Sequence, residues 1–198
     1  MRQLYAPAVM LGALLLLSSC YYGPSKAKRS SSDVRVRSEA SSRLPEDSTE
    51  VLLREDGVFD SRKNPEADGY ANEFELQLGG KVVYDWQSGL LWQRSGSAYY
   101  MAYSQTRSYV DSLNRVGYAG FSDWRMPTLS EAMTLVEPAR RSNQLHIDPL
   151  FSSKQYAVWT SDKKSNLWAW VVYFSDGYSH YDQVEYGGSF VRAVRTAR

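Results

Sequence analysis

The chain has few of the residues that build catalytic and metal centres. It contains 198 residues, with one cysteine and two histidines. A single cysteine excludes an internal disulfide, a multi-cysteine zinc site and a Cys-x-x-Cys redox pair, and two histidines leave little room for a histidine-rich metal centre. We therefore expect no metal, no cofactor, no catalytic residue and no enzymatic activity. A Ser–His–Asp set using His146 or His180 stays open, although no Gly-x-Ser-x-Gly elbow accompanies it.

The sequence also lacks a dominant charge and a long apolar run. Its 23 Lys and Arg against 22 Asp and Glu give a formal net charge of +1. This balance does not provide the basic footprint of a duplex-DNA binder, so we expect no nucleic-acid partner. The longest apolar stretch, residues 6–17, is about 12 residues long, whereas a membrane-spanning helix needs about 20.

That apolar stretch has the layout of an export signal. Arg2 precedes it, and Leu17-Ser18-Ser19-Cys20 follows it. The tetrapeptide resembles the lipobox of bacterial lipoproteins, which implies cleavage between Ser19 and Cys20, acylation of Cys20 and a membrane-lipid partner through that residue. An ordinary signal with a chance cysteine is the alternative. The residue after the cysteine is Tyr21 and not Asp. In enteric-type bacteria, a lipoprotein without Asp at this position resembles those sorted by default to the outer membrane. We therefore expect a lipid-anchored protein of the bacterial cell envelope, in the outer membrane.

Composition divides the rest of the chain into a tether and a domain. Residues 1–20 form the predicted lipoprotein signal peptide. Residues 21–65 are rich in Ser and charged residues, contain no Trp, and show no sustained apolar periodicity. Such a segment buries too little apolar surface to offset its ordering entropy, so we expect a disordered, flexible tether. A short strand or helix around Val51-Leu52-Leu53 stays open. Residues 66–198, which hold all six Trp, form the predicted domain.

Periodicity predicts an α+β domain with two helices and antiparallel strands. Strands are expected over 74–78, 82–85, 90–93, 156–160, 167–174 and 190–195, and 176–188 is expected to be rich in loops. The first helix is expected over 99–116. The second is expected to begin at a capping box of Thr128 and Glu131 and to be limited by Pro138.

An ordered set of motifs carries a family resemblance over about 80–196. The motifs are Val83-Tyr84-Asp85, Ser88-Gly89-Leu90-Leu91-Trp92-Gln93, Asp123-Trp124-Arg125-Met126-Pro127-Thr128, Val158-Trp159-Thr160-Ser161 and Val191-Arg192-Ala193-Val194-Arg195. Together they resemble the C-terminal domain of the Legionella collagen-like adhesin, a domain widespread in bacterial exported proteins. The resemblance implies a C-type-lectin-like fold and a ligand among sulfated glycosaminoglycans. The collagen-like stalk on which the adhesin forms a trimer is absent here.

The most specific motif has a structural interpretation. Pro127 fixes a turn into the second helix, Thr128 caps that helix, and Glu131 reaches back to the cap. Asp123 and Arg125 flank Trp124 and are predicted to pair or to bind nearby backbone. We expect a corner that specifies the fold, with a binding role for Asp123 or Arg125 as the alternative.

Two sets of residues are candidates for ligand binding. Arg140, Arg141, Lys163 and Lys164 would bind sulfate or carboxylate groups if the two pairs met on one surface. Tyr178, His180 and Tyr181, with Tyr186 nearby, would offer rings to a sugar. Calcium-dependent sugar binding is not favoured, because Glu137-Pro138-Ala139 departs at its third residue from the lectin motif. The expected function is non-enzymatic recognition of a polysaccharide. The alternative is a structural subunit that contacts an envelope protein and binds no glycan.

Overall fold

The structure, a computed structural model, describes residues 36–197. Three α-helices and two antiparallel sheets within this range confirm the predicted α+β class. The predicted signal peptide, its cleavage site at Ser19 and Cys20, and the first part of the predicted tether lie outside the described residues. None of the helices between residues 36 and 197 combines the length and the apolar character that crossing a bilayer requires.

The first sheet contains the predicted hairpin and has the strand order β1-β2-β3-β7. Its strands are β1 (Phe74–Gln77), β2 (Val82–Asp85), β3 (Leu90–Gln93) and β7 (Val194–Thr196). The β2–β3 turn includes Gly89, whose φ of 70° suits glycine because it lacks a Cβ. Val83 lies opposite Trp92, and Trp92 lies opposite Val194, so three strands contribute to one buried face.

The second sheet has the order β4-β5-β6 and includes a strand that the sequence did not indicate. Its strands are β4 (Ala157–Ser165), β5 (Trp168–Tyr173) and β6 (Tyr178–Gln183). The expectation of loops over 176–188 is therefore wrong for β6. Lys163 and Lys164 lie in β4. β6 is an edge strand with polar and aromatic residues, so it lacks the apolar alternation used to predict strands.

Residues 190–194 join the two sheets. The Phe190 carbonyl accepts a hydrogen bond from the Trp159 amide at 2.9 Å, and the Ala193 carbonyl accepts one from the Gln93 amide at 2.8 Å. The segment therefore pairs with β4 at one end and with β3 at the other. Of the predicted strand over 190–195, only the part from Val194 is assigned to β7.

The helices begin or end at different residues from those predicted. They are α1 (Glu46–Glu55), α2 (Tyr103–Arg115) and α3 (Leu129–Met133). The start of α2 is later than expected because Met101 forms an antiparallel bridge with Ser189. α3 stops before Pro138 because the Leu135 and Val136 amides bond three residues back and tighten the last turn.

Two hydrophobic clusters cover the two faces of the second sheet. Trp170 and Val172 of β5 belong to one cluster, and Ala169 and Val171 belong to the other. Successive side chains of a strand point to opposite faces, so the sheet is buried on both sides. The first cluster also packs α1 and α3, and the second packs α2. Trp92, Trp124, Trp159 and Trp170 are buried, whereas Trp86 is exposed.

The predicted tether is wrong from residue 36 onward, because this part of the chain is folded onto the domain. Leu53 of α1 is fully buried in the first cluster. Trp170 Nε1 donates to the Leu44 carbonyl at 2.9 Å, and buried Asp60 accepts from the Ser179 amide at 2.8 Å. The domain thus begins before residue 66. The segment is polar on average, yet its few apolar side chains fill one face of the sheet.

Candidate functional site

Two loops run side by side and form the framework of the candidate site. We call residues 94–100 and 152–156 the paired loops. The Ser152 amide donates to the Arg94 carbonyl at 3.2 Å, and Gln155 Nε2 donates to the Ser97 carbonyl at 2.8 Å. Each contact joins residues that are 58 positions apart. The two loops therefore run in the same direction. Neither loop contains Asp or Glu.

A cavity of about 570 Å³ opens at the beginning of the paired loops. Its charged lining residues are the cations Lys81 and Arg94. The remaining lining residues are Gly80, Ser95, Tyr118, Asn143, Pro149, Phe151, Ser152 and Ser153. Arg94 is held in place by its Nε, which donates to the Leu150 carbonyl at 2.7 Å. Cations beside hydroxyl and amide groups, with no lining carboxylate, suit a sulfate, phosphate or carboxylate group.

A third cation lies behind the wall of the cavity. Arg192 is fully buried, and its guanidinium donates to the Gln93 carbonyl at 3.2 Å, to the Arg94 carbonyl and to the Ser152 carbonyl at 3.2 Å. Its Cζ lies 4.8 Å from the ring centroid of Phe151. Burial lowers the pKa of Arg192 to about 9. No carboxylate among residues 36–197 forms an ion pair with it.

Exposed tyrosines lie at the other end of the paired loops. Tyr99, Tyr100 and Tyr156 are 79%, 48% and 39% exposed. The rings of Tyr100 and Tyr156 are 6.0 Å apart at an interplanar angle of 81°, and Tyr100 also packs against buried Phe190 at 4.3 Å. Lys154 Nζ lies 5.4 Å from the Tyr99 ring centroid. Tyrosines that present both a ring face and a hydroxyl suit contact with a sugar ring.

The two predicted basic pairs do not meet. Arg140 Nη2 lies 3.7 Å from Asp176 Oδ1 in the β5–β6 turn, and Arg141 pairs with Glu137. Lys163 lies opposite Ala169 at the other end of the same sheet. The prediction that these four residues bind a polyanion required the two pairs to lie on one surface. In this fold they do not.

The predicted aromatic group does come together, along β6. The Tyr181 ring centroid lies 3.4 Å from Lys164 Nζ and 4.4 Å from the His180 ring, and His180 lies 6.4 Å from Tyr178. Each of these groups already has an internal partner. Arg62 covers the Tyr178 ring at 3.6 Å, and Lys164 also pairs with Glu46 at 3.4 Å. Binding by this group stays a prediction.

The predicted corner has the expected contacts. Thr128 Oγ1 accepts from the Glu131 amide at 3.1 Å, and Glu131 Oε2 accepts from the Thr128 amide at 2.9 Å, which together form the capping box. Glu131 also binds both terminal nitrogens of Arg125, at 2.7 and 2.6 Å.

The residues that flank this cap also have structural partners. Asp123 pairs with Arg195 at 2.6 Å, and Trp124 is buried. The Pro127 carbonyl accepts from the Ser161 amide at 2.7 Å. These contacts are structural, and they leave the side chains of Glu131 and Trp124 out of reach of a ligand.

No cluster of three or more His, Cys, Asp or Glu residues between 36 and 197 has a geometry that would hold a metal ion. His146 packs against Phe59 at a centroid distance of 6.3 Å, and its Nδ1 lies 2.8 Å from the Glu137 carbonyl. Burial lowers the pKa of His146 and of His180.

Sequence reasoning missed the residues of the paired loops. The sequence pattern predicts a helix at Tyr99 and indicates no binding role for Lys154 or Tyr156. One signal was available, because both stretches are basic and aromatic yet free of acidic residues. Their pairing across 58 positions depends on the tertiary fold and leaves no local pattern.

Comparison with known proteins gives one match. A family model described as the Lcl C-terminal domain matches residues 81–195. No curated protein and no solved structure gives a significant match. The matched range is more than half of the chain and includes both paired loops, Arg192 and every lining residue of the cavity except Gly80.

Proposed function

We propose that this chain, which belongs to the Lcl C-terminal domain family, is a lipid-anchored, non-enzymatic protein. It binds acidic polysaccharide through the paired loops. Membership of the family indicates an adhesin-like extracellular or envelope protein. The observation that carries the proposal is the cavity with Lys81 and Arg94 at one end of these loops and the exposed tyrosines at the other. The lectin-like character of the domain is part of the proposal.

The chemistry of the two ends supports an acidic sugar polymer over a neutral one. An anionic substituent in the cavity would accept charge-assisted hydrogen bonds from Arg94 and Lys81, which are about twice as strong as neutral ones. Lys154 adds a third accessible cation between the cavity and the tyrosines. With no acidic side chain in either loop, nothing there repels a chain of repeated negative charges.

The test is binding of heparin and of chondroitin sulfate to the full lipidated chain in detergent, measured by titration calorimetry. We expect the double variant Arg94→Ala/Lys154→Ala to lose at least about tenfold in affinity, because hydrogen bonds to charged groups contribute about 1.5–3 kcal/mol each. The double variant Arg140→Ala/Arg141→Ala removes the same charge elsewhere and is the matched control. Equal losses in the two variants would exclude the paired loops as the site.

Failure of the wild-type protein to bind either polymer would favour the alternative function. In that case the domain is a structural subunit that contacts an envelope protein. Crosslinking in intact envelopes, with the Arg94→Ala/Lys154→Ala variant compared with wild type, would then be the measurement that identifies the surface used.

The anchor is proposed from the sequence alone. Its support is the apolar stretch followed by Leu17-Ser18-Ser19-Cys20, where the chain's single cysteine occupies the lipobox position. We expect labelled palmitate to be incorporated into the wild-type protein and not into Cys20→Ser. A Cys20→Ser protein that still incorporates palmitate would contradict this part of the proposal.

A further inference from the structure

The position of Arg192 is unusual for a charged side chain. Its side chain has no exposure, although a buried ion is normally paired with an opposite charge. Three residues further along the chain, Arg195 follows that rule and binds Asp123 at 2.6 Å. Among residues 36–197, backbone carbonyls are the only acceptors of hydrogen bonds from Arg192, and its Nε has no hydrogen-bond partner there.

Two of the three carbonyls that hold Arg192 belong to residues that line the cavity. Arg94 and Ser152 line the cavity, and they are also the residues through which the paired loops first make contact. Phe151, which also lines the cavity, lies against the guanidinium. Arg192 therefore lies directly behind the part of the cavity where Arg94 presents its own charge.

Carbonyl dipoles solvate a guanidinium without neutralising it. A positive charge in a buried, low-dielectric position acts over a longer distance than the same charge in water, because solvent screens it less. Its field therefore extends into the cavity that its carbonyl partners line. A surface lysine would give a weaker field there and would also pay more side-chain entropy on binding.

We propose that Arg192 is a specificity-determining residue of this cavity, and that its unpaired buried charge makes the cavity select an oxyanion over a neutral group. Arg192 does not touch the ligand and acts through the field at Arg94 and Ser152. The inference rests on the proposed function, since it names what distinguishes acidic from neutral polymers at the same site.

The experiment compares two substitutions that each keep a hydrogen-bond donor for the carbonyls. Arg192→Gln removes the charge, and Arg192→Lys retains it. Titration of the full chain with inorganic sulfate and with heparin is expected to give about tenfold weaker binding for Arg192→Gln and nearly wild-type binding for Arg192→Lys. Arg195→Gln, which removes a paired buried arginine, is the control and is expected to leave both affinities unchanged.

A second measurement keeps the proposal testable if Arg192→Gln does not fold. A buried ammonium loses its proton at a lower pH than a guanidinium does. Between about pH 7 and pH 9, sulfate binding is therefore expected to weaken in both proteins, and to do so at a lower pH in Arg192→Lys than in wild type, in which burial lowers the pKa of Arg192 to about 9. Tyr109, whose pKa burial raises, stays protonated over that range.

The outcomes separate the two proposals. Wild-type protein that binds neither sulfate nor heparin overturns the proposed function and this inference together. Wild-type binding that depends on Arg94 and Lys154 but is the same in folded Arg192→Gln overturns only the role of Arg192. Identical pH profiles for Arg192→Lys and wild type would also overturn it, because a purely structural arginine would leave the profile unchanged.

Discussion

At the scale of single residues, burial decides which ionic contacts stabilise this domain. Glu131 is 1% exposed and binds Arg125 through both carboxylate oxygens. On α1, Glu50 and Arg54 pair at 3.0 Å, and about half of each side chain is exposed to solvent. Solvent screening leaves surface pairs with little net effect, while a buried charge that loses its partner is strongly destabilising.

Glu131→Gln is therefore expected to lower the free energy of unfolding by about 2 kcal/mol, because it removes the charge that holds Arg125 while leaving an oxygen for the Thr128 amide. Urea denaturation followed by tryptophan fluorescence measures the change. The matched control Glu50→Gln should alter stability by less than about 0.5 kcal/mol. Equal effects of the two substitutions would contradict the assignment of the corner as a structural element.

The two histidines give the domain an acid sensitivity. Burial is the largest cause that lowers the pKa of each below the ordinary 6.5; Arg140 lowers the pKa of His146 further and Asp176 opposes this. Below about pH 6.5 the unfolded chain takes up protons that the folded domain does not. The contribution of the two histidines to the free energy of unfolding is thus fully present above that pH. It falls as the solution is acidified toward their lowered pKa values.

Unfolding experiments between about pH 7.5 and pH 5 test this expectation. The variant His146→Gln/His180→Gln should show a flatter dependence than wild type, because glutamine does not titrate. Parallel curves for the two proteins would show that neither histidine contributes to the acid response.

At the scale of elements, the segment before the matched range is structural. Asp162 of β4 is buried and accepts hydrogen bonds from Arg37 at 2.8 Å and from the Leu129 amide at 2.6 Å. It thereby links the beginning of the described chain to the N-terminus of α3. Leu53 of α1 packs in the first hydrophobic cluster, together with Leu129 of α3.

Leu53→Ala is expected to destabilise the domain by about 2–4 kcal/mol, as large-to-small changes in a close-packed core do. Val51, two residues earlier on α1, is 56% exposed, so Val51→Ala should change stability by less than about 0.5 kcal/mol. Thermal unfolding of both variants makes the comparison. If Leu53→Ala unfolds like wild type, then α1 does not pack on the domain as described.

The elements that the sequence predicted well are those with local signals. The capping box of Thr128 and Glu131 and the hairpin around Gly89 depend on contacts within a few residues, and both are present. The sequence left α1 open as a short strand or helix around Val51-Leu52-Leu53 and did not indicate β6, because both elements have few apolar residues. Leu53 of α1 is buried by residues far along the chain, such as Trp170. The paired loops were missed for the same reason, since their contact joins residues far apart in the chain.

At the scale of the whole molecule, the candidate site lies away from the described N-terminal segment. The Ser41 carbonyl accepts from the Lys163 amide near the end of β4, whereas Tyr156 immediately precedes the first residue of β4. The intervening strand spans roughly 20 Å at about 3.3 Å per residue. Tyr156 therefore lies at the end of the second sheet opposite the contact between Ser41 and Lys163.

Hydrogen exchange of the full chain, with and without heparin, tests the central claim most directly. We predict slower exchange at residues 94–100 and 152–156, no change at β6 or at Arg140 and Arg141, and loss of the effect in Arg94→Ala/Lys154→Ala. Protection at β6 or around Arg140 instead of the paired loops, or no protection at a saturating heparin concentration, would contradict the account.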